Sequence, residues 1–290
     1  MPTIRLFSAL AMWALLIGPA YAQLSIAVEA VPYRLSDATR GQEGGEGVSN
    51  TMTVAFSYPF TLNKHRTRLN VGVVWEHQRV DVRGRSGLDP DMTAFHAGGV
   101  SVSLLHPVSP TWSLLGVVTP GVASDLKGPL TPDDFNIQVM VAALRRTSPY
   151  FAFGLGAAYS TQFGAPLPMP IFVADWNNGR RLRWVTLFPS ISEFWYDHTD
   201  RTQWGFAIRV EGQAFQGDPS RYAGHDPELR HSVVSVGPSA RWALAPKMEL
   251  QVEAGVVPYH RLEFYEGRTE IVSFSAQESA FLRLTVHLGR

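Results

Sequence analysis

The chain contains no cysteine among its 290 residues. A disulfide framework is therefore excluded, and so is a lipid anchor on an N-terminal cysteine. Basic and acidic residues number 25 each, so the formal charge is zero and nothing indicates nucleic acid or an acidic partner. Beyond residue 22 no run of about 18 apolar residues occurs, so the sequence predicts no transmembrane helix.

The first 22 residues have the composition of an export signal. Arg5 precedes an almost unbroken apolar run, Leu6–Ile17, and Gly18 and Pro19 then break any helix. Ala20-Tyr21-Ala22 supplies the small-residue pattern at which a signal peptidase cleaves. We therefore predict a cleaved signal peptide over 1–22 and a single domain over 23–290.

The stretch MELQVEAGVV (248–257) shows the pattern that recurs along the chain. Every even-numbered residue in it is apolar, and Glu249, Gln251 and Glu253 lie between them. Successive side chains of a strand point to opposite faces, so this pattern predicts a strand with one apolar and one polar face. Twelve segments can be interpreted in this way: 24–34, 51–60, 66–80, 94–106, 111–119, 135–145, 150–160, 182–196, 203–215, 231–244, 248–258 and 279–288.

Short and long connections alternate between these segments. With an even number of antiparallel strands, every short turn lies at one rim and every long loop at the other, as in bacterial outer-membrane barrels. We therefore predict an all-β, antiparallel up-and-down transmembrane β-barrel of about 12 strands, in the outer membrane of a Gram-negative bacterium. Pro189 leaves an alternative open, because a split of the 182–196 strand would give thirteen strands and remove the loop asymmetry.

Aromatic residues concentrate near the predicted strand ends, where two belts would meet the two headgroup levels. The belt near the short turns would comprise Tyr58, Phe60, Trp112, Tyr150, Trp195, Tyr196, Trp204 and Trp242. The belt near the long loops would comprise Trp75, Tyr159, Phe163, Trp184, Phe215 and Tyr259.

Two segments carry a family resemblance. SPYFAFGLGAAY (148–159) and LRWVTLFPSISEFWY (182–196) resemble parts of a family of uncharacterised bacterial outer-membrane β-barrels that share a domain of unknown function. The resemblance implies an outer-membrane location and a barrel, and it implies no activity. Such barrels generally end on an aromatic residue that the barrel-assembly machinery reads, whereas this chain ends Leu288-Gly289-Arg290.

Several charged residues lie on the inward face of the predicted strands. Their signs alternate between neighbouring strands, so cross-strand pairs are expected along one wall of the lumen. This lumen charge wall comprises Glu29, Arg209, Glu211, Arg241, Glu249, Glu253 and Arg283. It has two interpretations: a constriction that selects solutes by charge, or a salt-bridged filling of a narrow barrel.

Nothing in the sequence indicates an enzyme, a cofactor or a metal site. No G-x-S-x-G motif occurs, and the nearest approach to a catalytic dyad at the rim is His77 or His96 with Ser101 or Ser103. The cluster HDPELRH (225–231) matches no metal-ligand spacing and is expected to be a solvated loop.

The predicted function is passive or weakly selective passage of small solutes. The alternative is a non-conducting structural or binding barrel that acts through its long external loops. The expected partners are outer-membrane lipids, lipopolysaccharide and, during biogenesis, the barrel-assembly machinery.

Overall fold

A computed structural model describes residues 22–37, 43–62, 67–83, 94–160, 167–217, 227–267, 269–276 and 279–289. Within these ranges a short 3₁₀ turn, Pro132–Asp134, is the one helical element, and no helix has the length and apolar character to span a bilayer. The strands are β1 Gln23–Asp37, β2 Glu43–Thr61, β3 Arg68–Arg83, β4 Ala94–Pro107, β5 Trp112–Ser124, β6 Phe135–Ser148, β7 Phe151–Ser160, β8 Leu167–Asn177, β9 Leu182–Phe188, β10 Ile191–Thr199, β11 Thr202–Gln216, β12 Pro227–Ala245, β13 Met248–Glu266, β14 Thr269–Ala276 and β15 Ser279–Leu288.

The strands form one closed antiparallel sheet. Each strand from β1 to β13 pairs with its neighbour in sequence, and β1 returns to pair with β15 from Leu24↔Leu288 to Ala30↔Leu282. β13 pairs with β15 over its first half and with β14 over its second, so these two segments occupy one position around the barrel. The barrel thus has fourteen strand positions, because β14 and β15 share one of them.

The prediction of about 12 strands is wrong in two places. The predicted loop 161–180 contains β8, and the predicted strand 182–196 is a hairpin of β9 and β10 that turns at Pro189–Ser190. Each change adds one strand, so the total stays even. The prolines at positions 168 and 170 disguised β8, although a strand accepts proline where its nitrogen points away from the pairing partner.

The sorting of connections by length holds in part. One rim, the short-turn rim, has six connections of two to six residues, at 62–67, 108–111, 149–150, 178–181, 200–201 and 246–247. The opposite, long-loop rim has the ten-residue connections 84–93, 125–134 and 217–226. It also has connections of five residues at 38–42, six at 161–166 and two at 189–190 and 267–268. The connection 267–268 is short because β13 extends beyond its predicted end and β14 lies within the predicted loop 259–278.

Side chains alternate between the lumen and the outer surface, as the sequence predicts. In β13, Gln251 and Glu253 face inward and are buried, whereas Val256 faces outward and is 54% exposed. Of the predicted aromatic belts, Trp195 and Phe215 are wrong, because both point into the lumen and are almost fully buried. Trp184 was assigned to the wrong rim, because β9 begins at Leu182, next to the short connection 178–181. Phe163 lies outside the described residues. Outward aromatics at the short-turn rim include Tyr58, Phe60, Trp112, Tyr150 and Trp204, and those at the opposite rim include Trp75, Tyr159 and Tyr259.

Candidate functional site

The side chains that face the lumen form two contrasting walls. We call the first the apolar wall; it lies on β5 to β10 and comprises Leu115, Val117, Met140, Ala142, Leu144, Met169, Ile171, Val173, Val185, Leu187 and Ile191. We call the second the charged wall; it lies on β1, β10 to β13 and β15 and comprises Glu29, Glu193, Arg209, Glu211, Arg241, Glu249, Glu253 and Arg283. All seven residues of the lumen charge wall predicted from the sequence are found there.

Arg209 on β11 links carboxylates of the charged wall on β10 and β13. Its Nη2 lies 2.5 Å from Glu193 Oε1, its Nε donates to Glu253 Oε2 at 2.9 Å, and Nη2 also bonds Glu253 Oε1. β12 lies between β11 and β13, and its inward side chains here are small, Ser235 and Ser239. The long side chains of Arg209 and Glu253 therefore meet over β12 inside the lumen.

Arg283 is a second centre of the charged wall. Its direct cross-strand neighbours are Glu29 on β1 and Glu253 on β13. The guanidinium bonds Glu29, lies 2.6 Å from Glu211 Oε2 and reaches Glu253 Oε2 at 3.3 Å. Arg283 thus contacts carboxylates from three strands, and it shares Glu253 with Arg209.

Arg241 completes the charged wall through an aromatic contact. Its Nε donates to Gln251 Oε1 at 2.8 Å, and its Nη2 lies 3.4 Å from Glu193 Oε2. The guanidinium carbon lies 3.6 Å from the ring centroid of Trp195, whose Nε1 donates to Glu193 Oε2 at 3.1 Å. The ring covers Gly205, where an added Cβ would come within 2.5 Å of it. Trp195 is therefore held between a glycine and a cation, a favourable desolvated arrangement.

The charged wall is dry. Its members are at most 8% exposed except Glu249, whose side chain is 16% exposed. Removing such ions from water costs several kcal/mol each, and only close pairing with well-formed hydrogen bonds offsets that cost. Five carboxylates share three guanidiniums, so the contacts depend on one another. At this level the charged wall fills its part of the lumen.

Three residues of this arrangement were not predicted from the sequence: Glu193, Gln251 and Trp195. Gln251 lies on the polar face of the strand 248–257, but its uncharged side chain does not mark it as a partner of an arginine. Glu193 could have been found from its neighbours, because Phe194 and Tyr196 are the outward residues of β10 and leave residues 193 and 195 inside. Trp195 was placed in a lipid-facing belt by its residue type.

Toward the long-loop rim, apolar side chains close the lumen. Phe95 on β4 and Phe215 on β11 lie 5.2 Å apart between ring centroids, although the two strands are far apart around the barrel. The Asp125 amide donates to Gln216 O at 3.0 Å, and Gln216 pairs in parallel with Ser124 of β5. We call this group the upper cluster; its members are Val80, Phe95, Ala97, Ala123, Phe215, Leu229, Leu262 and Phe264.

A chain of hydrogen bonds lies among the inward side chains near the upper cluster. His231 and His260 approach through their Nε2 atoms at 2.8 Å, and His231 Nδ1 lies 3.0 Å from Gln78 Nε2. The expectation that HDPELRH is a loop is wrong for its last five residues, because β12 begins at Pro227. His225 and Asp226 lie outside the described residues. Within the described ranges, no three metal-ligating side chains are grouped as a metal site.

The histidines near the long-loop rim do not meet the serines of the hypothetical dyad. His77 and His96 face outward, where their rings lie 4.7 Å apart and form a cluster with Trp75. Ser101 and Ser103 face inward on β4 and are fully buried. The sheet therefore separates the two residue types.

A polar cavity of about 420 Å³ lies at the short-turn rim. Inward residues of the lower strand ends line it together with turn residues; the inward ones include Arg146, Asp175, Arg183 and Asp197. Arg183 and Asp175 pair at 2.9 Å. The lining at this rim is therefore polar and charged, in contrast to the apolar wall.

A closed antiparallel barrel with an apolar outer surface and a polar lumen defines the architecture of bacterial outer-membrane channels and porins. The chain belongs to the family described as "Domain of unknown function (DUF6268)", whose model matches residues 19–289.

Solved structures with a similar fold include the COG4313 outer membrane channel from Pseudomonas putida F1, at 11% identity and a TM-score of 0.50, covering 94% of this chain and 97% of that one. The toluene transporter TodX of P. putida matches at 10% identity and a TM-score of 0.44, covering 94% and 91%. The KdgM porin matches at 8% identity and a TM-score of 0.36, covering 91% of this chain and 98% of that one. No curated protein matched the sequence.

Proposed function

We propose that this protein spans the outer membrane of a Gram-negative bacterium and acts as a channel for small solutes, and that the structure represents its closed state. The observation that carries the proposal is the division between faces. Leu155, Val141 and Val256 are outward and 54–66% exposed, while the ions of the charged wall are inside. In contact with lipid, an arginine at the bilayer midplane would cost about 2–4 kcal/mol, so this division suits a membrane.

Polar groups in the lumen favour a channel over a permanently filled barrel. Both polar atoms of the Asn70 amide, and the hydroxyls of Ser103, Ser235 and Ser239, are buried and have no hydrogen-bond partner in the described part of the protein. A permanently dry core normally satisfies such groups. A lumen that fills with water in an open state would satisfy them, and the cavity at the short-turn rim offers the water an entrance.

Single-channel recording in planar bilayers tests this proposal. We expect rare openings of the refolded protein, because the charged wall and the upper cluster block the lumen. The substitution Arg241→Gln removes contacts to Glu193 and Trp195 and should raise the frequency of opening several-fold. Arg145→Gln is the matched control, since Arg145 is exposed, lies outside the charged wall and contacts Trp112 from 5.6 Å. Silence of both the native protein and the Arg241→Gln variant would contradict a channel.

The filled lumen also supports a second candidate, a non-conducting barrel that binds partners through its external loops. This candidate predicts silence in the bilayer experiment together with retained binding of lipopolysaccharide to the folded protein. The absence of enzymatic activity, the signal peptide over 1–22, lipopolysaccharide contact and delivery by the barrel-assembly machinery all stay predictions.

A further inference from the structure

The hairpin of β9 and β10 is shorter than the two strands that flank it in the barrel sheet. β9 has seven residues and β10 has nine, whereas the flanking β8 and β11 have 11 and 15. All four strands begin or end at the short-turn rim, so the hairpin ends partway up, at Pro189–Ser190. β8 continues beyond it through Leu167–Ile171, a length of about 16 Å along the strand at 3.3 Å per residue.

Above the hairpin, the ladder of hydrogen bonds around the barrel is interrupted. β8 pairs with β9 from Asn177↔Arg183 up to Phe172↔Phe188, and no described strand pairs with Leu167–Ile171 on that side. β11 pairs with β10 up to Arg209↔Ile191, and the Val210 amide then donates to Ser190 O at 2.9 Å. Farther up, β11 leans across the lumen to Ser124 on β5. Among the described strands, β8 and β11 are therefore not joined above the hairpin; we call this place the side gap.

The sequence of β8 opposes any extension of the sheet into the side gap. Pro168 and Pro170 have the same parity, so their nitrogens point to the same side of the strand. They pair with Tyr159 and Ala157 of β7. Because proline is accepted in a strand where its nitrogen faces away from the partner, both nitrogens face the side gap. An edge without amide donors there discourages a strand from filling it.

The lining of the side gap is apolar on the side of β8 and the hairpin. Met169, Ile171 and Ile191 belong to the apolar wall and lie at its inner edge. Phe188 lies at its outer edge and is 62% exposed. The facing part of β11 carries Glu211, which is bound by Arg283 in the charged wall, and the buried Gln213. A molecule that passes from the apolar wall through the side gap along β8 would thus meet hydrocarbon groups, and it would avoid the upper cluster that closes the axis.

We propose that small apolar molecules move between the lumen and the membrane lipid through the side gap, sideways between β8 and β11. This inference rests on the proposed channel function and adds to it a substrate class and a route. The polar cavity at the short-turn rim is the other end of this route. A longer β9–β10 hairpin would cover the side gap without replacing a residue of either lumen wall, although Pro168 and Pro170 cannot donate hydrogen bonds to it. The native chain has no cysteine, so single thiols can report access.

The test uses N-dodecylmaleimide, an apolar reagent that partitions into lipid, on proteoliposomes of phosphatidylcholine. Ile191→Cys places a thiol beside the side gap. Leu115→Cys places one on the same wall but on β5, away from the gap. We expect modification of Ile191→Cys about ten-fold faster, because local opening of the gap is easier than opening of a paired ladder. Equal rates at the two thiols would overturn the route.

The second arm extends the hairpin by four residues of alternating Val and Thr in each strand, around Pro189–Ser190. In this background we expect the rate at Ile191→Cys to fall to that of Leu115→Cys, while bilayer conductance is unchanged. An unchanged rate would overturn the proposal. If the extended hairpin does not fold, Ile171→Asp replaces it; a carboxylate at the edge should slow the apolar reagent but not a water-soluble maleimide, and equal slowing of both would count against the route. Failure of the channel function appears separately, as absence of conductance while the thiol rates still differ.

Discussion

The apolar wall and the charged wall line one lumen but are stabilised by different forces. The apolar wall is packed by many weak contacts among side chains of adjacent strands, each of which can be changed with a local effect. The charged wall joins β1, β10, β11, β12, β13 and β15 through three guanidiniums, so the loss of one weakens the pairing of several buried carboxylates at once. The first wall should therefore tolerate change, and the second should fail as a unit.

The largest effect is expected from Arg283→Met. The change removes the guanidinium that contacts Glu29, Glu211 and Glu253, of which Glu253 keeps its contacts with Arg209. Breaking a buried charge cluster in this way costs about 3–5 kcal/mol. Urea unfolding in lipid vesicles should show this loss, or the protein should fail to reach its heat-modifiable folded form. Arg145→Met at an exposed site is the control and should change stability by less than about 1 kcal/mol. Equal stability of both variants would mean that the charged wall is not cooperative.

Leu115→Ala should have the next largest effect. Leu115 is 3% exposed in the apolar wall, and its neighbour Leu114 faces outward at 52% exposure. Truncation of a buried leucine costs about 2–4 kcal/mol, through lost contacts and the cavity left behind. Leu114→Ala on the same strand should cost less than half as much in the same unfolding assay. The reverse order would show that the inward and outward faces of β5 are exchanged.

Gly205→Ala should lower the free energy of unfolding by about 1–3 kcal/mol, because the added methyl group displaces the ring of Trp195 and with it Arg241. Gly116 on β5 is the matched control, because an added Cβ there meets nothing within 4 Å. Gly116→Ala should leave the unfolding midpoint nearly unchanged. Red-shifted tryptophan emission in the Gly205→Ala variant alone would report the displaced ring.

The smallest effect is expected at the edge of the charged wall. Glu249 is partly exposed and lies 3.6 Å from Arg241, so Glu249→Gln should cost less than about 1 kcal/mol. Glu193→Gln makes the same change at the buried centre and should cost several times more in urea unfolding. Similar costs at the two positions would indicate that water reaches the whole wall.

The difference between the walls also explains how much of the fold could be predicted. Where β11, β13 and β15 carry the charged wall, polar and apolar residues alternate cleanly, and the sequence alone identified both the strands and seven of the charged residues that meet in the lumen. Along the apolar wall both faces are apolar, so alternation disappears and the inward face has no signature. β8 was missed for this reason, and because Pro168 and Pro170 are typical of loops.

The contacts themselves could not be predicted. The partner of Arg209 depends on two things. The small side chains of β12 let side chains of β11 and β13 meet above that strand, and the register of the three strands decides which carboxylate Arg209 reaches. The upper cluster likewise joins Phe95 and Phe215, which are 120 positions apart in the chain. The two extra strands kept the number even, so the short turns of the other strands stayed at the predicted rim although the strand count was wrong.

The most direct test of the central claim compares two adjacent residues of β6, Val141 and Ala142. Val141 faces outward at 55% exposure, and Ala142 faces the lumen and is buried. Spin labels attached to the single variants Val141→Cys and Ala142→Cys in vesicles should differ: the label at 141 should be relaxed strongly by lipid-soluble oxygen and not by a water-soluble nickel chelate, and the label at 142 should be protected from the oxygen in the lipid. A label at 141 that responds to the nickel chelate and not to oxygen would contradict a barrel with lipid outside and its charges within.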